Sequence, residues 1–99
     1  MYGMHGAFKT QPGKGDELAA ILIEAAAALG ADSACLLYVV SRSLEDPDTI
    51  WVTEAWTDRE AHDVSLEDEA TKALIARARP LIADIPGHGE FEPLGGKGL

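Results

Sequence analysis

Residues 49–63 read TIWVTEAWTDREAHD, and a change of period inside this stretch decides the fold. Ile50, Val52, Glu54 and Trp56 recur every second position, and Trp51 falls on the opposite side. A period of two is the signature of a β-strand. At Thr57 the alternation stops. Thr57 and Glu60 stand at the T-x-x-E spacing of a capping box, which predicts a helix from Asp58. Ser65 and Asp68 repeat that spacing, so a break and restart is expected near residues 65–67.

Upstream, SACLLYVVSR (33–42) reads as a strand. Strict alternation sends Cys35, Leu37 and Val39 one way and Leu36, Tyr38 and Val40 the other, so both faces are apolar. The polar turn SLEDPD separates it from the 49–57 strand. A connection this short implies antiparallel pairing. Before it, DELAAILIEAAAALG carries Leu18, Ile21, Leu22, Ala25 and Leu29 at helical spacing. Asp16 and Glu17 suit the first turn of that helix and Gly30 its end. YGMHGAFKT (2–10) alternates again, with Tyr2, Met4 and Phe8 opposite His5, Ala7 and Lys9. Downstream, DEATKALIARA predicts a second helix segment, kinked or ended by Pro80. PGHG reads as a turn, EFEPL as a short last strand with Pro93 at an edge, and GGKGL as a flexible tail.

The element order is β-α-β-β-α-β. It predicts an α+β, ferredoxin-like domain over residues 1–94, with helices on one face of a four-stranded antiparallel sheet and residues 95–99 as the tail. Right-handed crossovers put the first and third strands at its centre. One layer of helices covers only one face of a sheet. The doubly apolar second strand therefore points to a partner subunit on the other face, and a homodimer is expected.

Composition excludes several classes. Acidic residues outnumber basic ones 17 to 8, for a net charge of −9. A nucleic-acid binder needs a basic stripe to displace counterions, and none is present. No apolar run is long enough to cross a bilayer and no leader-like segment opens the chain, so no membrane partner is expected and the localisation read is cytoplasmic. The single cysteine, Cys35, lies among apolar residues and reads as an inert thiol. No dinucleotide fingerprint, phosphate loop or C-x-x-C occurs. His5, His62 and His88 lack the paired spacing of a metal site, so no metal is expected.

W-V-T-E-A-W, then D-R-E-A-H-D-x-S-L, then A-R-A-R-P-L-I resembles the antibiotic-biosynthesis monooxygenase family, in particular its small quinol-monooxygenase-like members. The resemblance implies a dimeric α+β barrel with a pocket between sheet and helices in each subunit. It implies oxygenation of an electron-rich aromatic, a quinol or polyketide-type substrate, with O₂ as co-substrate and without a metal or flavin. The family's helix histidine commonly falls about one turn later, where this chain has Ser65. Such chemistry needs a base and a dry pocket. His62 and Glu54 are the catalytic candidates, and Trp56, His5 and Tyr38 the substrate-binding ones. Haem is not expected. The competing class is a non-catalytic dimer that holds a hydrophobic ligand or serves as a stress accessory, with a haem-degrading relative as a further alternative.

Overall fold

A computed structural model describes residues 1–30 and 33–99. Four strands, β1 (Tyr2–Thr10), β2 (Cys35–Arg42), β3 (Thr49–Trp56) and β4 (Ile82–Phe91), form one antiparallel sheet in the order β2-β3-β1-β4. Helix α1 (Gly15–Ala28) joins β1 to β2. Helices α2 (Arg59–Ser65) and α3 (Glu69–Ala78), then a 3-10 turn at Arg79–Leu81, join β3 to β4. This is the ferredoxin-like α+β arrangement, and β1 and β3 are its central strands.

The apolar stripe of α1 meets the sheet through Leu18 and Ile21, which pack on Ile50, Leu74 and Ala78. Leu18 and Ile50 are wholly enclosed. Helix α1 begins against the β2–β3 connection. The Asp48 carboxylate accepts from the Gly15 N–H, one of the donors a helix start leaves open, and from the Gly13 N–H of the preceding loop. A side chain at position 15 would meet the Pro47 carbonyl oxygen at 2.1 Å, so only glycine permits this approach.

Four local expectations are corrected. Asp58, not Thr57, caps α2: its Oδ1 accepts from the Ala61 N–H at 2.7 Å. Thr57 still belongs to the sheet: its N–H donates to Ala34 O, which extends the strand pairing by one bond. The break after Ser65 occurs as expected, but Asp68 caps α3 by accepting from the Thr71 N–H. Ser65 folds back instead, its Oγ donating to His62 O.

The third correction concerns PGHG, which is not a turn. It lies inside β4, where Gly87, His88 and Gly89 pair with Ala7, Gly6 and His5. β4 starts eight residues earlier than the expected EFEPL strand and ends at Phe91, leaving Pro93 outside it. A full-length ladder to β1 overrides the local turn preference. Between the Lys9–Asp84 and Ala7–Gly87 pairs β4 spends an extra residue, a bulge that contains Pro86. There the missing N–H of proline leaves no ladder bond unmade.

The last correction is in β2. Cys35 pairs with Trp56 and Leu37 with Ala55, so Leu36 is an extra residue. This bulge moves Cys35 to the face of Tyr38 and Val40, away from Leu37 and Val39.

Candidate functional site

Leu18 and Ile50 fill one end of the space between helices and sheet. Toward α2 that space stays open as a cavity of about 280 Å³. Met4 and Phe8 of β1, Leu22 and Ala25 of α1, and Leu74 and Ile75 of α3 form apolar walls. The polar lining is sparse: Tyr38, Glu54, His62, Ser65, Thr71 and the indole of Trp56. A wider depression of about 380 Å³ lies outside, among Tyr2, Asp58, Arg59 and Glu90. It is open and charged and holds neither Glu54 nor His62, so the apolar cavity is the candidate site.

The strand period places Glu54 and Trp56 side by side on the helix-facing side of β3. Trp56 Nε1–H donates to Glu54 Oε1 at 3.0 Å. The Glu54 side chain is only 12% exposed, so this bond offsets part of the cost of burying a carboxylate. The helix that starts at Arg59 brings His62 over the same spot. Its ring meets the Trp56 indole edge-on, centroids 5.5 Å apart at 77°. His62 Nε2 lies 3.9 Å from Glu54 Oε1. That is too long for a hydrogen bond, yet near enough for strong attraction once the ring is charged.

Tyr38 of β2 is in register with Glu54. Its hydroxyl makes no hydrogen bond to the described residues. Burial first, then the Glu54 charge, then Cys35 push its pKa far above the usual phenol range. Tyr38 is therefore held as a neutral O–H donor. Burial also raises the Cys35 thiol, which keeps it protonated and unreactive.

Four candidates from the sequence, Glu54, Trp56, His62 and Tyr38, thus line one cavity. His5 does not join them. Met4 pairs with Glu54 and His5 with Thr53, so His5 points to the opposite face of the sheet. There it stacks on Trp51, centroids 4.7 Å apart at 18°, with Nδ1 3.1 Å from Thr53 Oγ1. His5, expected among the substrate-binding residues, therefore lies outside the lining of this cavity. Met4 and Phe8 were not singled out as lining residues, although their alternation on β1 carried the signal. Ser65 and Thr71 carried none, because their orientation depends on the break between α2 and α3. Among the described residues, no group of three or more His, Cys, Asp or Glu side chains is placed to hold a metal ion. No helix of the described residues is long and apolar enough to cross a membrane.

Comparison with known proteins places these features in a lineage. The family model for antibiotic biosynthesis monooxygenase matches residues 1–77. A solved structure of a candidate antibiotic biosynthesis monooxygenase from Chloroflexus aurantiacus is 43% identical, covers 96% of this chain and 94% of its own, and superposes with a TM-score of 0.89. One from Deinococcus radiodurans is 25% identical over 97% of this chain and 95% of that one, with a TM-score of 0.81. SnoaB, a cofactor-independent oxygenase from Streptomyces nogalater, was solved as a mutant; at 17% identity, 97% and 95% coverage and a TM-score of 0.79, it shares the fold. No curated protein matches the chain. The matched segment contains Tyr38, Glu54, Trp56 and His62, and the chain belongs to the antibiotic biosynthesis monooxygenase family.

Proposed function

We propose that the protein is a cofactor-independent monooxygenase that oxidises a small aromatic molecule, a quinol or polyketide-type phenol, with O₂. The observation that carries this reading is the convergence of Glu54, Trp56, His62 and Tyr38 on one apolar cavity. A volume of about 280 Å³ lies just below the roughly 300 Å³ at which ligand sites usually begin, and suits a compact ring system. The SnoaB comparison supports such chemistry on this fold.

The residues divide the work. The Trp56 indole and the Met4 and Phe8 side chains hold the aromatic ring. The Glu54–His62 pair takes the substrate proton. The Tyr38 hydroxyl donates to the oxygen on which negative charge develops. The resulting anion is electron-rich enough to pass one electron to O₂. Recombination gives a peroxide on carbon. One oxygen atom stays on the substrate, which loses two hydrogens, and the other oxygen leaves with them as water. The substrate itself supplies the electrons, so no external reductant enters. Apolar walls protect the anion and peroxide from bulk water.

The working unit in this proposal is a homodimer. The face of the sheet without helices exposes Val39 (43%) and Phe91 (46%) beside the Trp51–His5 stack. A second copy laid on that face buries them.

The test is O₂ uptake by metal-free protein across a panel of hydroquinones and anthrones. Wild type should show substrate-dependent uptake, and His62→Ala and Glu54→Gln should each lower it about 100-fold, the usual contribution of a positioned base. No uptake on any panel member would count decisively against the reading.

A further inference from the structure

The side of His62 that faces away from the cavity is also engaged. Asp63, the next residue, sends Oδ1 to within 3.2 Å of His62 Nδ1. Arg59 lies behind that carboxylate, its Nε 4.0 Å from Asp63 Oδ2 and its outer nitrogen 3.6 Å from Glu90 Oε1. The Arg59 guanidinium also sits 5.7 Å from the centre of the Tyr2 ring. Tyr2 closes the circuit: its ring is 5.3 Å from the His62 ring, and its hydroxyl donates to Glu90 Oε1 at 2.9 Å. Asp63 and Tyr2 thus flank the outer edge of one imidazole, with Arg59 and Glu90 behind them; the His62 side chain is 8% exposed.

We propose that Asp63 is a positioning residue: it holds the ring proton of neutral His62 on Nδ1 and so leaves Nε2 as the proton acceptor facing Glu54 and the cavity. This rests on the oxygenase reading for its purpose, though not for its measurement. Distance decides the assignment. Two carboxylates compete for the one N–H of the neutral ring. Asp63 stands at hydrogen-bond length, 3.2 Å, and Glu54 does not, at 3.9 Å. Glu54 Oε1 already accepts from the Trp56 indole. In water a neutral histidine side chain favours the opposite tautomer, so an outside acceptor is required to hold this one. When Nε2 takes a proton from substrate, the imidazolium forms between two carboxylates, and its charge is stabilised on both sides.

The experiment is ¹⁵N NMR of the histidine rings in the full-length protein, at a pH where the ring is neutral. His62 signals are identified by their loss in His62→Gln. Wild type should carry its proton on Nδ1. Asp63→Ala should move most of the population to Nε2–H, and Asp63→Asn, which keeps a carbonyl oxygen as acceptor, should largely restore the wild-type pattern. Asp63 is 60% exposed, and circular dichroism of each variant confirms that α2 is retained. A proton on Nε2 in wild type, or an unchanged tautomer in Asp63→Ala, overturns the proposal. Protein that has this tautomer but consumes no O₂ with any substrate sinks the oxygenase reading and leaves the role of Asp63 standing.

Discussion

Replacing Trp56 with phenylalanine tests whether the indole holds the buried carboxylate. The Nε1–H donor to Glu54 Oε1, at 3.0 Å, disappears. Hydrogen bonds to charged groups contribute about 1.5–3 kcal/mol. The Glu54 side chain keeps 12% of its surface exposed, so the low end, about 1.5 kcal/mol, is the better figure. Trp56 is 3% exposed, and shrinking its ring removes roughly 40 Å² of apolar burial, about 1 kcal/mol. Trp56→Phe should therefore destabilise by about 2.5 kcal/mol, read from urea unfolding at fixed protomer concentration. A double-mutant cycle with Glu54→Gln separates the parts. The amide still accepts from the indole but without charge, so the cycle should show a coupling of about 1 kcal/mol. A total loss below about 1 kcal/mol, or a coupling indistinguishable from zero, refutes the claim that this bond holds Glu54 in place.

Two further outcomes are expected. Asp46 is held at about 2, below its ordinary 3.8, chiefly by the Lys9 ammonium and then by the Asp48 N–H and Thr49 hydroxyl. Because the folded value is the lower one, this contribution is complete above pH 4 and is lost as pH falls toward 2. Asp46→Asn should flatten the acid limb of stability in that window, and an acid limb identical to wild type would contradict it. Val39→Asp, on the open face of the sheet, should shift the protein toward monomer without closing the cavity. Sedimentation measures this, and wild type that is already monomeric at micromolar concentration disproves the dimer.

Much of the site was legible because strand geometry is strict. The two-residue period alone put Glu54 beside Trp56, and the polar break after Trp56 announced the helix that carries His62. The orientation of that face was not legible. It depends on Met4 pairing with Glu54, a contact between residues far apart in the chain. The bulge at Leu36 was hidden for the same reason, since an extra residue shows only against its partner strand. PGHG misled because proline and glycine are read as punctuation, yet an edge strand with a bulge accommodates both. Asp63 lies within the decisive stretch, yet its spacing marks it for no role. Its significance comes from where the imidazole turns, which no spacing rule encodes.

Pro86 bears on what happens when many copies of the chain meet. β4 is a ten-residue strand at the rim of the sheet. A rim that long is a template on which another chain's strand can assemble, and repetition of that step grows a fibre. Here the template is interrupted. Pro86 offers no N–H, the Ile85 N–H is already taken by Asp84 Oδ1 at 2.9 Å, and the bulge twists the backbone out of register. Asp84 and Glu90 add charge along the same strand. The irregularity that disguised this strand as a turn is thus a safeguard against edge-to-edge polymerisation. In the proposed homodimer, association would then run through the helix-free face that exposes Val39 and Phe91, and not along this edge.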